Sequence, residues 1–287
     1  MSAALYINVN GGFYKANEKV FAINNRAFKY GDALFETIRV INGSPCFLDN
    51  HFMRLEKGMT LLKMNPNPIF FDILKTQIVQ LIEKNNINKG GRLRLTVYRS
   101  SDGFYTPEGE EKNEYAIEVV PLKENNYELN ERGITIDIYR EFKRHSNALS
   151  SIKTTNNIPL TLAGIYKREE ELDDCIVLNE HNRIVETISS NIFLYRNNNL
   201  YTPSLEEGCM DGVMRKQVLK AAKELRINIS EGIINGSMLL QADELFLTNA
   251  IKGIEWVGAY RDKRYFNKTS KRILEQLNKL SADLVTS

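Results

Sequence analysis

The chain has 287 residues, of which 43% are hydrophobic and 26% are charged, a composition typical of a globular protein of one or two domains. Its net charge of +2, without a long basic tract, argues against nucleic-acid binding. No run of about 18 apolar residues predicts a membrane span, and the N-terminal stretch does not resemble a signal peptide. Three widely spaced cysteines (Cys46, Cys175 and Cys209) favour a reducing compartment. We therefore expect a cytoplasmic protein.

Residues 1–121 predict an α+β domain. Two hairpins come first, because Asn-Gly turns separate the apolar runs of ALYINVNGGFYK and FETIRVINGSPCFL. A helix follows between Asp49-Asn50 and Asn65-Pro66. After Gly90-Gly91, the alternating segments RLRLTVYR and EYAIEVVPL predict two strands. Before Gly90-Gly91, FFDILKTQIVQLIEKNN predicts an amphipathic helix whose apolar face consists of Ile73, Leu74, Ile78, Leu81 and Ile82.

The polar segment at residues 122–132 is the best candidate for an interdomain linker, since it contains few apolar residues. Residues 133–287 then predict a larger domain. Its strands and helices lack the strict alternation of a doubly wound sheet. In chain order they are strand ITIDIY, helix IPLTLAGIYKREEEL, strand CIVLN, paired strands in RIVETISSNIFLYR and LYTPS, helix GVMRKQVLKAAKEL, strand ADELFLTNA and helix KRILEQLNKLSADL.

Common catalytic motifs are absent from the sequence. It contains no GxGxxG, GxxxxGK[ST], HExxH or GxSxG segment, and three scattered histidines do not predict a metal site. Lysine, carboxylate and arginine chemistry therefore remain. Lys153 stands alone in SSIKTTNN, just before a helical pattern. A surface lysine is the ordinary interpretation, although the small polar neighbours would also suit a buried ammonium group.

Five segments narrow the function by their order. They are NHFMRL, SSIKTTNN, RIVETISSNIFLY, EEGCMDGVMRKQV and ELFLTNAIKGIEWV. With these segments at this spacing, the chain resembles the class IV, fold-type IV family of pyridoxal-phosphate enzymes. That family includes branched-chain and D-amino-acid aminotransferases and aminodeoxychorismate lyase. The resemblance covers nearly the whole chain and implies a two-domain α+β fold with the cofactor in the cleft between the domains.

The resemblance also implies how pyridoxal 5′-phosphate would be held. Lys153 would form a Schiff base with the cofactor aldehyde and later carry the substrate Cα proton. Glu186 would keep the ring nitrogen protonated, and Arg54 would bind the phosphate. Without the resemblance, Glu186 and Arg54 would be interpreted as ordinary solvent-facing charges. Gly212, Val213 and Met214 open a helical run, and a helix N-terminus favours an anion. The resemblance also implies contacts at Asn249 and Ala250, the latter through its N–H because it lacks a hydroxyl.

Substrate contacts follow from the same resemblance. RAFKYGDALFETIRV resembles the element that lines the family's substrate pocket, and it offers Tyr30 and Phe35. Arg99 fits an arginine that several members use for a substrate carboxylate, although a salt bridge at the loop end is an equally good interpretation. We expect a mobile loop over residues 100–111, with Tyr105 near its tip. Such loops act across family dimers, which implies a homodimer with a composite active site.

The reaction is less clearly indicated. Branched-chain enzymes carry a tyrosine where this chain has Ile158, and D-amino-acid enzymes carry Arg-x-His where it has Phe104-Tyr105-Thr106. Residues 248–254 are closer to the lyase, but the lyase loop Gly-Gly-Arg-Gly-Tyr is only partly matched. We predict an aminotransferase that acts on an amino acid and a 2-oxo acid through Lys153. The alternative is 4-amino-4-deoxychorismate lyase, which releases pyruvate and 4-aminobenzoate, and a third hypothesis is an inactive cofactor-binding protein.

Overall fold

The computed structural model describes residues 5–283, with side chains at all of them except residues 110, 111, 282 and 283. Ala4 of the predicted first hairpin and Leu284 of the predicted last helix lie outside this range. The described chain forms two compact units. Unit 1 comprises residues 5–126 and Ile152–Asn156, and unit 2 comprises Tyr127–Ser151 and Asn157–Asp283.

Unit 1 contains one antiparallel sheet and three helices within its described residues. In chain order its elements are β1 (Tyr6–Val9), β2 (Gly12–Lys15), α1 (Arg26–Tyr30), β3 (Ala33–Ile41), β4 (Ser44–Pro45), α2 (Leu48–Leu61), α3 (Pro68–Lys84), β5 (Gly90–Asp102) and β6 (Glu108–Leu122). The strands follow the order β2-β1-β6-β5-β3-β4 across the sheet. The core of the unit lies between this sheet and the helices, and includes Leu34, Ile38, Met59, Leu74, Ile78, Leu93, Leu95 and Ile117.

Local sequence explains how the long helix α3 begins and which face it buries. Asn67 caps the helix by accepting the N–H of Phe70, and Pro68 occupies its first turn. Ile73, which the periodicity placed on the apolar face, is 44% exposed. At 100° per residue it lies about 60° outside the buried stripe that starts at Phe70. The buried residues are Phe70, Leu74, Ile78, Leu81 and Ile82.

The segment Ile152–Asn156 belongs to unit 1, whereas we predicted that Lys153 lies in the C-terminal domain. The reason is main-chain pairing with β3. Phe35 N donates to Lys153 O at 2.8 Å and Thr155 N donates to Ala33 O at 3.1 Å, and Ile152 joins the core of the unit. The division at residues 126 and 127 falls within the predicted linker.

Unit 2 contains the elements β7 (Ile134–Arg144), α4 (Ile158–Glu169), β8 (Asp174–Asn179), β9 (Ile184–Thr187), β10 (Asn191–Arg196), β11 (Asn199–Pro203), a short 3-10 helix (Leu205–Glu207), α5 (Val213–Glu224), β12 (Asn228–Gly232), α6 (Gly236–Gln241), β13 (Glu244–Asn249), β14 (Gly253–Tyr260), β15 (Lys263–Arg264) and α7 (Lys268–Asp283). Its strands form a mixed sheet in the order β12-β11-β10-β13-β14-β7-β8-β9, with β15 paired to β14. Three neighbouring pairs are parallel, namely β11 with β12, β14 with β7, and β7 with β8.

Several of these elements differ from the predictions. The short helices α1 and α6 and the strands β12, β14 and β15 were not predicted, and β7 continues to Arg144, five residues beyond the predicted end. The core of unit 2 consists mainly of aliphatic side chains from the central strands, among them Ile136, Ile138, Ile176, Ile192, Leu245 and Leu247. Over residues 5–283, none of the helices combines the length and the apolar character needed to cross a membrane.

Candidate active site

Lys153 is anchored through its backbone on β3, and its side chain meets an aromatic ring. The side chain is half-buried, and Nζ lies 4.2 Å from the centroid of the Phe35 ring. The Arg94 guanidinium lies 3.9 Å from the same centroid. Cations are attracted to the face of an aromatic ring. The structure therefore brings Lys153 and Phe35 into contact and adds Arg94, which the sequence did not indicate.

A buried ion cluster joins β3 to α2 in the same unit. Glu36 Oε1 accepts a hydrogen bond from Arg54 Nε at 2.8 Å. Glu36 Oε2 accepts from Arg54 Nη2 at 2.5 Å and from His51 Nδ1 at 2.6 Å. Each of these three residues is at most 5% exposed. Because the paired bonds fix the plane of the guanidinium, Arg54 is held in one orientation.

Burial and pairing set the charges in this cluster. Burial alone raises the pKa of Glu36, but the charges and hydrogen bonds of Arg54 and His51 outweigh it and lower the pKa to about 2. Burial lowers the pKa of His51, and the opposing effect of Glu36 is smaller. At neutral pH an ionised Glu36 therefore accepts from a neutral His51 and a cationic Arg54. His51 Nε2 is buried and has no hydrogen-bond partner among the described residues.

Arg99 is buried within unit 1, at 7% exposure. Its Nε donates to Asp32 Oδ2 at 3.0 Å, while its terminal nitrogens donate to Leu62 O at 2.6 Å and Lys63 O at 3.3 Å. The last two are carbonyls at the C-terminal end of α2, where a cation is favoured. These contacts match the salt-bridge interpretation of Arg99.

The predicted mobile loop at residues 100–111 is shorter than expected, because β5 runs to Asp102 and β6 starts at Glu108. The remaining turn is tied down by Arg26, a buried residue that the sequence did not indicate. Arg26 Nη1 donates to Phe104 O at 2.8 Å, and its guanidinium lies 5.0 Å from the centroid of the Tyr30 ring. Tyr30 in turn contacts Tyr105, with 5.5 Å between ring centroids. Two predicted substrate residues therefore lie side by side, and Tyr105 is 89% exposed.

Glu186 lies on β9 of unit 2 and is 4% exposed. Its Oε1 accepts from Arg144 Nη1 in an ion pair, and its Oε2 accepts from Met210 N at 2.9 Å. Arg144 is itself fixed by a bond from Nη2 to Ser150 O at 2.5 Å. Both partners of Glu186 are donors, which suits a carboxylate. Arg144 was missed because β7 was predicted to end before it.

The N-terminus of α5 offers backbone donors. Gly212 is its N-cap, and no acidic residue lies in the first turn. Because the first N–H groups of a helix have no acceptor within it, those of Val213 and Met214 have no partner within the helix. A Cβ on Gly212 would overlap the side-chain oxygen of Asn191. Asn191 is held by a bond from Nδ2 to Met210 O at 2.8 Å. Glycine is therefore required for the helix start to approach Asn191.

The turn between β13 and β14 contains the predicted contacts Asn249 and Ala250. Asn249 Nδ2 donates to Ser190 Oγ at 2.9 Å. Next to the turn, Thr248 pairs with Asn191 in the sheet register, and its Oγ1 is buried without a partner among the described residues. Buried polar atoms are normally hydrogen-bonded, but this hydroxyl is covered by the protein's own atoms, so Thr248 is not counted among the ligand contacts. A threonine in a strand is common, and the sequence did not indicate a role for Thr248.

Comparison with known proteins adds independent findings. The model of the amino-transferase class IV family matches residues 33–259. Aminodeoxychorismate lyase of Bacillus subtilis is 30% identical over 254 residues, which are 85% of this chain and 83% of that protein. A putative branched-chain-amino-acid aminotransferase of Methanocaldococcus jannaschii is 26% identical over 281 residues, which are 98% of this chain and 96% of that protein.

A solved structure shows the same fold. Branched-chain aminotransferase from Thermoproteus uzoniensis, crystallised with norvaline, superposes with a TM-score of 0.87 over 98% of this chain and 96% of that one. Its sequence identity is 21%, so the likeness concerns the fold, and it confirms the predicted two-domain α+β fold of type IV. Since the family model spans most of the sequence, this chain belongs to the class IV aminotransferase family of pyridoxal-phosphate enzymes.

Proposed function

We propose that this protein binds pyridoxal 5′-phosphate and uses Lys153 to remove the Cα proton of an amino substrate. The observation that carries the proposal is the setting of Lys153, which is anchored on β3 and contacts Phe35, and whose charge acts on the buried His51. When bound, the cofactor supplies an aldehyde that combines with amines and a ring that accepts electrons from a broken Cα bond. In the resting protein, Lys153 Nζ would hold the cofactor. When the substrate amine has taken its place, the freed Nζ would remove the substrate Cα proton.

The phosphate would be bound by charge and by backbone donors. Arg54, oriented by Glu36, would supply a guanidinium. The N–H groups of Val213 and Met214 at the start of α5, and that of Ala250, would supply further donors, as helix N-termini do for anions. The glycine before α5 fits such a group, since a Cβ at this position would overlap the Asn191 side chain.

The ring nitrogen would be held by Glu186. This carboxylate has a fixed orientation, because Arg144 and the N–H of Met210 each bind one of its oxygens. A carboxylate beside the ring nitrogen favours the protonated form of that nitrogen. Glu186 would therefore hold a proton at this atom and maintain the ring as an electron acceptor. In this proposal Arg144 is a positioning residue, since it acts through Glu186.

After the proton is removed, we propose that the reaction follows the lyase course, in which the substrate loses its enolpyruvyl group as pyruvate and leaves 4-aminobenzoate. The support is the 30% identity to the B. subtilis lyase and the lyase-like segment at residues 248–254. In addition, Ile158 is 73% exposed where branched-chain enzymes place a tyrosine. The sequence alone favoured the aminotransferase, and the identity to the lyase changes that preference.

Aminotransferase activity is the second candidate. It is favoured by the turn at residues 103–107, where Phe104-Tyr105-Thr106 stands in place of the arginine-bearing loop of the lyase. In that reaction Lys153 would pass the substrate's Cα proton on to the cofactor, and water would release the 2-oxo acid while the amino group stays with the cofactor. In either reaction, Tyr30, Phe35 and Tyr105 are the proposed substrate contacts.

The test is a paired assay on cofactor-loaded protein. One arm supplies aminodeoxychorismate and measures pyruvate, and the other supplies L- and D-amino acids with 2-oxoglutarate and measures amino transfer. Pyruvate alone supports the lyase, and amino transfer alone supports the second candidate. Inactivity in both arms, with cofactor bound, would leave the inactive cofactor-binding protein. Borohydride reduction followed by peptide mass spectrometry should place the adduct on Lys153, and a Lys153→Ala variant that is still reduced to a stable adduct would contradict the assignment.

We also propose a cytoplasmic homodimer with a composite site. The three cysteines, all within the described residues, are buried and form no disulfide, as suits a reducing compartment. Unit 1 exposes large aromatic side chains, Phe28 at 75%, Phe104 at 81% and Tyr105 at 89%, which commonly indicates an interaction surface. Sedimentation at micromolar concentration should show about twice the 33.0 kDa of the chain. Mixed Lys153→Ala and Tyr105→Ala variants should regain activity if the turn acts across the dimer, and no recovery after proven subunit exchange would refute that.

A further inference from the structure

The hairpin turn between β13 and β14 is held by more than its own strands. Asn249 and Gly253 are paired at its base. Asn249 Oδ1 accepts the N–H groups of Ile251 at 3.0 Å and Lys252 at 2.9 Å. This Asx arrangement fixes one side of the turn from within. The other side is held by a residue more than a hundred positions earlier in the chain.

That residue is Tyr127, which is 3% exposed and belongs to the same unit. Its hydroxyl donates to Ala250 O at 3.1 Å. The peptide between Ala250 and Ile251 is therefore pinned at both ends, through its carbonyl by Tyr127 and through its N–H by Asn249. The peptide that carries the Ala250 N–H starts at Asn249, which is paired with Gly253 in the sheet. Because only φ and ψ of Ala250 join the two peptide planes, fixing both neighbours restricts the direction of the Ala250 N–H.

Tyr127 is itself fixed at its backbone and its ring. Asn278 on α7 accepts the N–H of Tyr127 at 3.1 Å and donates to its carbonyl at 2.9 Å. The ring packs against Gly253, where an added Cβ would lie 2.7 Å from a ring carbon. Gly253 also has a φ of +72°, which favours glycine. The turn, the ring and α7 therefore form one rigid assembly around Ala250.

We propose that Tyr127 is a positioning residue for the cofactor phosphate, acting through the backbone of Ala250. This inference rests on the proposed function, in which the Ala250 N–H is a phosphate donor. Tyr127 would not touch the cofactor. Its hydroxyl would hold the Ala250 N–H in one direction, so that the turn does not have to become ordered when the phosphate binds.

The experiment compares Tyr127→Phe with Tyr265→Phe, titrating each apoprotein with pyridoxal phosphate and with pyridoxal, which lacks the phosphate. Tyr265 is a matched control, since its buried hydroxyl also donates to a backbone carbonyl, Leu239 O at 2.9 Å, in the same unit. We expect Tyr127→Phe to weaken pyridoxal phosphate binding about 3- to 10-fold, the effect of one hydrogen bond. The affinity of Tyr127→Phe for pyridoxal should change less than twofold. Tyr265→Phe should leave the ratio of the two affinities unchanged. Asn278→Ala, which releases the Tyr127 backbone, should act in the same direction and provides a second variant.

Equal weakening of both ligands, or a Tyr127→Phe protein that binds both like the Tyr265→Phe control, would overturn the inference. Wild-type protein that binds neither ligand would instead overturn the proposed function, and this inference with it. The ratio of the two affinities is the decisive quantity, since a general loss of stability lowers both alike.

Discussion

Replacing Glu36 with glutamine should remove a pH-dependent part of the stability of this protein. The wild-type carboxylate accepts three hydrogen bonds from Arg54 and His51, and its pKa is lowered from its ordinary 4.5 to about 2. At 1.36 kcal/mol per pKa unit, this shift corresponds to about 3 kcal/mol of stability above pH 4.5. The contribution is lost as the pH falls from 4.5 through the folded pKa, so less than half of it remains at pH 3. Glutamine carries no charge and cannot make this contribution.

The assay is urea unfolding of the apoprotein between pH 3 and pH 7, with Glu118→Gln as the control. Glu118 is also paired with an arginine of unit 1, at 3.8 Å, but its side chain is 56% exposed. We expect Glu36→Gln to cost about 3 kcal/mol at pH 7 and less at pH 3, and Glu118→Gln to cost under about 1 kcal/mol throughout. A Glu36→Gln deficit that does not shrink as the pH falls would refute the assigned charges.

Three further predictions concern the second unit. Arg144→Ala should lower kcat/KM about 10- to 100-fold, since Glu186 loses its charged partner. Gly212→Ala should weaken pyridoxal phosphate binding about tenfold, because its Cβ would displace the start of α5. Burial raises the pKa of Cys175 and of Cys209 to about 12, so alkylation by iodoacetamide at pH 8 should be slow until the chain unfolds, as followed by mass spectrometry.

Each of these predictions has a control or a contrary outcome. Arg132 is 86% exposed in its ion pair, so Arg132→Ala should leave kcat/KM unchanged. An equal loss of kcat/KM in both variants would contradict the positioning role of Arg144. Gly236 starts α6 with open space around its Cβ position, and Gly236→Ala should bind cofactor normally. Rapid alkylation of the two thiols in folded protein would contradict their burial.

The sequence predicted most of the longer elements, because their patterns are local, but it missed the eight-residue strand β14. The helix α3 was predicted at residues 70–86 and is observed at Pro68–Lys84, where the apolar period and the cap at Asn67 agree. The short helices were missed although Asn25 and Asn235 cap them, because five or six residues carry too little periodicity to indicate a helix. The strand β12 was missed because it is mostly exposed and lacks an alternating apolar pattern.

For the site, the five segments indicated Lys153, Arg54 and Glu186 through a family resemblance. What they did not indicate was the set of charged partners. Arg144 lies 42 residues from Glu186, and Glu36 lies 18 residues from Arg54. Such ion pairs depend on which strands become neighbours, and no spacing in the chain encodes them. The roles of the site residues stay predictions until the cofactor experiments are done.

The pairing of the Lys153 segment with β3 has a consequence for how the chain folds as it is synthesised. Thr155 and Ala33, which bond in this pairing, are 122 residues apart. When residues 5–126 have left the ribosome, β3 still lacks the segment beside it, and the core still lacks Ile152. The first unit must therefore wait for later synthesis, and such long-range closure slows folding. A fragment ending at residue 126 should consequently have low stability when isolated, and adding a peptide with residues 150–157 should stabilise it.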